Sequence, residues 1–541
     1  MGQQAIMAPL AGRRPPASGG PLGLALNRAP DAPPLYLQIR DSVRAAVLSG
    51  ALGEGMRLPP ERDLAAALGV NRTTITRAYG ELAADGVVEA RSGRGTVVSA
   101  VMGRGGGVAG EQEVAAWASA DADTAWLLGL PPVGRGGLGS DPGWLRDMTG
   151  LASRDDVISF AAGTPAPELV PVQRLLTTLT DALAHSGGAG LLYGPVEGHD
   201  ALREAIATRL TGRGCAVAPE EVLVLAGAMQ GLSLVARALI EPGDEVVVEA
   251  PTFVGALQAF GAAGARLIGV PTDEAGLRVD ALERVLARRR VRLIYVQPTC
   301  HNPMGATLSP QRRERLVALA RRHAVPILED DAYGELWHEG PDPLPLKALD
   351  RGGLILHLGT FSKTVAPGLR VGWLAAPPPV IARLALAKQV SDLTTNALGQ
   401  LALTGFLTSG DYDRHLATVR GAYAARRAAM VAALAPLAGA LAVSPSSQGG
   451  FYLWCRLAAG PHARLLAANA SRVGVALLAG EAFYPPCTGG VAEGADYVRL
   501  SFAGNTPAVV GEGLERIAPI LRRLPASASA IGVTRGLRPV V

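Results

Sequence analysis

The sequence predicts an α/β protein of two unequal parts: a small helix-turn-helix unit with a β-hairpin wing, then a large domain on a mixed, mostly parallel sheet. Three observations carry this expectation. Residues 31–100 give helical runs around a tight turn, followed by two short β-prone runs around a glycine turn. From residue 222 onward, apolar β-prone runs alternate with helical stretches, the order that builds a sheet covered on both faces. A chain of 541 residues that is 48% hydrophobic and 18% charged can bury cores of that size.

Composition shifts divide the chain further. Residues 1–30 read as a disordered head, 31–100 as the compact unit, 101–150 as a Gly- and Pro-rich linker and 526–541 as a tail. The α/β domain spans 151–525, with a smaller C-terminal α/β subdomain from about 390. Trp117, Trp126 and Trp144 are three of the six tryptophans, and a freely solvated linker has little use for them. Part of the linker is therefore expected to dock, with a helix across 111–128. The opening "MGQQAIMAPLAGRRPPASGG" has no continuous apolar run, and Pro436 and Pro445 interrupt the longest charge-free stretch, 428–455. The expectation is a cytoplasmic protein with no membrane partner. Cys215, Cys300, Cys455 and Cys487 lie far apart in no metal-ligand spacing, so reduced thiols and no metal site are expected. The net charge of +4 is too small to name a partner.

In the compact unit, "PLYLQIRDSVRAAVLSGAL" places Leu37, Ile39, Val43 and Val47 at nearly helical spacing. A short helix around Leu64–Leu68, a turn at Gly69-Val70-Asn71 and a second helix carrying Ile75, Ala78, Tyr79 and Leu82 on one face come next, with Asn71 as N-cap. The runs "VVEA" and "TVVS", joined by "RSGRG", form the hairpin. A helix entering the major groove presents donors near its N-terminus, and Arg72, Thr73, Thr74 and Arg77 are so placed. Arg91 and Arg94 in the wing could reach phosphates. With 8 Arg against 8 Asp+Glu over 31–100, placement rather than bulk charge must supply any attraction for double-stranded DNA.

In the large domain, "AGAMQG", "APTF", "QPTCHNPMG", "EDDAY" and "GTFSK" each follow a strand-like run, where open α/β sheets build ligand sites. Only three of the 51 Lys+Arg residues are lysines: Lys347, Lys363 and Lys388. Arginine can replace lysine where only charge is needed, but not where an imine is made. Lys363 could supply that amine to a carbonyl cofactor. Asp330 could hold a pyridine nitrogen protonated. Gly227, Ala228 and Met229 lead into a helix whose free N–H groups could cradle a phosphate, with Thr360, Ser362 and Arg370 completing an anion site. Phe253 could stack on an aromatic ring, and Asn302 and Tyr333 could bond its phenolic oxygen. Pyridoxal 5'-phosphate has all these parts.

The pieces "PLYLQIRDSVR", "LPPERDLAAALGVNRTTITRAYGEL" and "GRGT" resemble the GntR-type winged helix. That resemblance makes Arg62 a DNA-contacting arginine; Pro60 stands where the family usually has a small polar helix cap. "HNPMG", "DDAY" and "SKTVAPGLRVG", in this order, resemble the class I/II aminotransferases of fold type I over about 157–525. By that resemblance Lys363 is the Schiff-base lysine, Asp330 the ring-nitrogen partner, and Asn302 and Tyr333 the partners of the phenolic oxygen. Tyr193 then reaches the phosphate of the neighbouring subunit, Arg499 binds the substrate α-carboxylate and Gly163 lies beside it. Phe253 stands where many relatives have tyrosine, keeping ring stacking without a hydroxyl. The two parts together resemble the MocR/GabR-type regulators of the GntR family. The implied function is a dimeric, pyridoxal-phosphate-dependent transcription regulator that senses an amino compound, or the cofactor itself, through an aldimine at Lys363. A working aminotransferase with an accessory DNA-binding domain is the alternative, and a cofactor-free module that keeps only the fold is a third reading.

Overall fold

A computed structural model describes residues 26–98 and 150–524, with breaks at 29–33, 49–51, 53–55, 85–86, 92–94, 151–153, 155, 339, 341, 446 and 487–492. The chain divides into two compact units, Met1–Ala125 and Trp126–Val541. The expected linker helix at 111–128, its tryptophans Trp117, Trp126 and Trp144, and Cys487 lie outside the described residues.

In the first unit, α1 (Leu35–Leu48), α2 (Glu61–Leu68) and α3 (Arg72–Ala84) precede the hairpin strands β1 (Val88–Arg91) and β2 (Gly95–Val98). Gly69 takes the left-handed conformation that stops α2, as a residue without Cβ readily does. Asn71 Oδ1 then accepts from the backbone N–H of Thr73 at 3.0 Å and caps α3. Ile75, Ala78, Tyr79 and Leu82 are all buried, against Ile39, Val43, Val47 and Leu64. The helical spacing thus delivers one apolar face per helix to one core. The strands pair antiparallel from Val88↔Val98 to Arg91↔Gly95, each displaced one residue from its expected bounds. Met56–Leu58 runs beside β2: Val98 donates to Met56 O and Leu58 to Thr96 O, both at 2.9 Å. Within the stretch expected to be disordered, Leu26 packs on the core and Arg28 donates to Leu68 O and Gly69 O at 2.9 and 3.1 Å.

The second unit is built on an eight-stranded sheet of order β4-β11-β10-β9-β8-β5-β6-β7. Its strands are β4 (Val222–Leu225), β5 (Glu245–Ala250), β6 (Arg266–Asp273), β7 (Gly276–Leu277), β8 (Val291–Val296), β9 (Ile327–Asp330), β10 (Ile355–Thr360) and β11 (Gly372–Ala375). Strands β10, β9, β8, β5 and β6 run parallel to one another; β11 and β7 are antiparallel to their neighbours. Alternate residues serve opposite cores. Val246, Val248, Leu293, Tyr295, Leu328, Leu356 and Leu358 fill one, while Val247, Ile294, Val296, Ile327 and Ile355 fill the other. That is why these strands read as continuous apolar runs. The period of two also aims Asp330 to the same face as Leu328, and Glu329 to the opposite one.

A second sheet, of order β12-β13-β16-β15, uses β12 (Leu441–Val443), β13 (Tyr452–Leu457), β15 (Leu478–Ala479) and β16 (Tyr497–Ser501). Here β3 (Ile158–Ser159) pairs with β14 (Val475–Ala476), so residues entering the domain are tied to its C-terminal part. This tie brings Ala161 and Gly163 to the site described next.

Candidate functional site

Strand register assembles the site. Thr360, the last residue of β10, faces Gly372 of β11, which in turn faces Leu225 at the end of β4. Three strand ends therefore place Thr360 and Ser362, Arg370, and the loop Ala226-Gly227 side by side. A Cβ on Gly372 would lie 2.8 Å from Gly359 O and 3.1 Å from the Ala228 nitrogen, so only glycine permits this approach. Thr360 Oγ1 lies 2.9 Å from Ser362 Oγ, both buried. Arg370 donates to Ala226 O at 2.9 Å and lies against Gly227, whose missing Cβ would sit 2.8 Å from the guanidinium. The helix Ala228–Leu239 starts there with no side-chain cap, leaving its first N–H groups and the positive end of its dipole facing Arg370. An N-terminal helix turn, two hydroxyls and a guanidinium are what a phosphate dianion binds.

Asp330 ends β9, buried, at the centre of the sheet. Its Oδ2 accepts from Tyr295 Oη at 2.6 Å and Gln297 Nε2 at 3.0 Å. Its Oδ1 is buried with no partner among the described residues. Burial pushes this carboxyl above the ordinary aspartate range despite the two donors on Oδ2. An orphaned, buried carboxylate oxygen calls for a cationic N–H donor, and a pyridinium fits it.

Lys363 follows β10 and is half-buried, with Nζ donating to Gly163 O at 2.7 Å. Burial lowers its pKa below that of ordinary lysine, and Arg499 and Arg370 act the same way, so more of it is the neutral, nucleophilic amine. The other two lysines are occupied elsewhere: Lys347 donates to Asp350 and Ile355 O, and buried Lys388 lies 3.1 Å from Asp392.

Arg499, on β16, is buried and makes no ion pair among the described residues. One terminal nitrogen donates to Asn302 Oδ1 at 2.9 Å, the other to Ala161 O, and Nε is orphaned. A buried guanidinium without a carboxylate is a receptor for one. Asn302, its oxygen taken by Arg499, keeps its amide nitrogen as donor. Tyr333 is buried, with its hydroxyl 2.9 Å from that of Tyr452. Phe253 is half-buried beside Met229; a Cβ on Gly255 would meet both within 2.7 Å. Tyr193 lies apart from these groups on the surface, 84% exposed.

In the first unit, Arg62, Asn71, Arg72, Thr73 and Arg77 are exposed and Thr74 is half-buried. Arg72 touches Glu61 only loosely, at 3.4 Å. Arg77 is engaged: it donates to Tyr36 Oη at 3.0 Å, lies 3.8 Å over that ring and sits 3.7 Å from Glu81. Arg94 lies outside the described residues, as does the side chain of Arg91.

Sequence reasoning missed Tyr295, Gln297 and Tyr452. Gln297 stands in a quoted motif without a role, Tyr295 reads as one more core residue, and "GGFYLW" was not singled out.

Residues 155–517 match the family described as aminotransferase class I and II, and residues 35–98 match the bacterial regulatory proteins of the gntR family. The probable rhizopine catabolism regulatory protein MocR of Rhizobium meliloti is 30% identical over 511 residues, covering 91% of this chain and 95% of MocR. The uncharacterized HTH-type transcriptional regulator YisV of Bacillus subtilis is 35% identical over 429 residues, covering 78% of this chain and 84% of YisV. The crystal structure of the multiple substrate aminotransferase of Thermococcus profundus superposes with a TM-score of 0.66 at 34% identity, covering 71% of this chain and 95% of that one. The chain therefore belongs to the class I and II aminotransferase family and, through its N-terminal gntR-family helix-turn-helix, to the MocR-type regulators in which the two domains are fused.

Proposed function

We propose that this chain is a cytoplasmic, homodimeric transcription regulator whose operator binding responds to an amino compound meeting pyridoxal phosphate at Lys363. The observation that carries the reading is the fusion itself: a DNA-binding unit shares one chain with a pocket whose orphaned groups fit that cofactor. No helix among the described residues is long and apolar enough to cross a membrane. Pyridoxal phosphate is the cofactor of class I and II aminotransferases, and when bound it supplies an electrophilic carbon and an electron-withdrawing ring.

Each residue then has a task. Gly227, Ala228, Met229, Thr360, Ser362 and Arg370 hold the phosphate. With the cofactor bound, Asp330 Oδ1 would accept from the ring nitrogen and keep it protonated, while Tyr295 and Gln297 fix the carboxylate. Phe253 would cover one ring face, and Asn302 and Tyr333 would donate to the phenolic oxygen. Lys363 would supply the amine that holds the cofactor. Arg499 would bind a carboxylate on the effector, beside Gly163, whose carbonyl accepts from Lys363. An effector that prefers one conformation of the dimer shifts operator affinity by that preference.

An active aminotransferase is the second reading. It is favoured by Lys363, Asp330 and Arg499 being together in one site and by the 34% identity to a solved aminotransferase. Turnover with a panel of amino donors and keto acids separates the two readings: a regulator gives at most one half-reaction, an enzyme repeated cycles.

The protein purified with pyridoxal phosphate should be yellow, and Lys363→Ala should lose that absorbance, because Lys347 and Lys388 are buried in other contacts. The rate of recombination with the cofactor should rise through a pH midpoint below that of free lysine, following the lowered pKa of Lys363. A yellow Lys363→Ala protein would place the anchor elsewhere.

Dimerisation is supported by exposed apolar groups on the second unit: Leu192 at 70%, Tyr193 at 84% and Val390 at 85%. In this reading Tyr193 reaches the partner's phosphate, and two winged helices read paired half-sites. Sedimentation at micromolar concentration should show a dimer; a strict monomer that holds cofactor tightly would contradict the role of Tyr193.

In the DNA-binding unit, Arg62, Asn71, Arg72, Thr73, Thr74, Arg77 and Arg94 form the proposed contact surface. Arg72→Ala should cost about 1–3 kcal/mol of operator affinity and relax base preference, as loss of a bidentate guanine contact does. Arg77→Ala should also lower the unfolding midpoint, since it removes the contact with Tyr36. Operator titrations at several salt concentrations check the first and thermal melts the second; an unchanged affinity in the Arg72→Ala, Arg77→Ala double variant would remove this surface from the account.

A further inference from the structure

Tyr452 opens β13, where Trp454 pairs with Arg499 and Tyr452 with Ser501 of β16. Its ring is buried, edge-on to Phe451 and Tyr333. Its hydroxyl lies 2.9 Å from the hydroxyl of Tyr333, a residue already at the cofactor site. A Cβ on Gly163 would come within 1.9 Å of that oxygen, so glycine is what lets the tyrosine stand there, beside the carbonyl that binds Lys363.

A contact between two hydroxyls uses one of their two protons, and either oxygen can be the donor at this distance. The guanidinium of Arg499 lies 4.1 Å over the Tyr452 ring. Burial raises the pKa of Tyr452, yet the cations of Arg499 and Lys363, with the bond to Tyr333, outweigh it and the net shift is downward. Tyr333 is pushed well above ordinary tyrosine, by burial first and then by Tyr452; Arg499 opposes this and Asp330 adds to it. A phenol carries one proton, and in the site proposed above that of Tyr333 goes to the cofactor's phenolic oxygen. The 2.9 Å contact must then be made by the proton of Tyr452, with the Tyr333 oxygen accepting.

We propose that Tyr452 is a positioning residue: by donating to Tyr333 it turns the Tyr333 proton toward the cofactor's phenolic oxygen and lowers the pH at which the Lys363 imine loses its proton. The proposal rests on the cofactor site given above. Its sign follows from charge. Negative charge on the phenolic oxygen is fullest once the imine proton has left, so a better donor to that oxygen favours loss of the proton. Tyr452 would thus set the protonation state in which an effector amine meets the site, without touching the cofactor itself.

The test is a pH titration of visible absorbance on the protein loaded with pyridoxal phosphate, for wild type, Tyr452→Phe, Tyr333→Phe and the double variant. Phenylalanine keeps the ring packed under Arg499 and removes only the hydroxyl. The midpoint should rise by about half to one pH unit in Tyr452→Phe, the scale of one hydrogen bond. It should rise in Tyr333→Phe, and go no higher in the double variant, because Tyr452 acts through Tyr333. An unchanged midpoint in Tyr452→Phe, or shifts that simply add in the double variant, would overturn the proposal while leaving the cofactor site standing. A wild type without visible absorbance would overturn the cofactor site and the proposal with it.

Discussion

A carboxylate buried at the end of a central strand must find a cation or give up its charge, and Asp330 is in that position. Tyr295 and Gln297 supply donors to one oxygen, and among the described residues the other makes no hydrogen bond. The neighbouring strand carries the answering chemistry. Parallel pairing of β9 with β10 sets Leu358 opposite Asp330, and the chain then runs two residues on to Thr360 and three further to Lys363. The proposed ring-nitrogen partner, phosphate hydroxyls and amine are thus spaced by one register. Arg499 repeats the logic from the smaller sheet, a buried guanidinium with no carboxylate partner among the described residues. Together these groups fit the proposed ligand: a ring cation, a phosphate, a carbonyl carbon and, from the effector, an acid.

Much of this was legible in the sequence because it is local. A lysine kept in a chain that otherwise uses arginine marks Lys363, and polar motifs at strand exits mark Asp330, Asn302 and Thr360. Strand assignments held because both faces of the sheet are apolar. What was not legible depends on distant pairing. Tyr295 looks like core until β8 and β9 are in register, and only then does its hydroxyl meet Asp330, 35 residues away. Tyr452 acquires its neighbours through β13 and β16 and through the glycine at 163, which no period or spacing announces. Arg77 reads as a groove-facing donor on its helix, yet Tyr36 of α1 takes it up. Leu26 to Arg28 look featureless in sequence, and Arg28 nevertheless binds the carbonyls that end α2.

The two halves divide the work by physics of different range. The DNA-binding unit is neutral by count, so its attraction for an operator rests on a few placed arginines and is screened by salt. The aminotransferase unit works with buried charges that salt barely reaches. A regulator needs these halves to share a free energy, and such coupling is reciprocal: an amine that alters operator affinity has its own affinity altered by operator to the same factor.

The most direct test of the account is therefore operator affinity of the loaded protein, measured as primary amines and amino acids are added, in wild type and in Lys363→Ala. The account predicts that at least one amino compound changes wild-type affinity by about fivefold or more and leaves the Lys363→Ala protein unmoved. A response of equal size in both proteins, or none to any amine in the wild type, would contradict it.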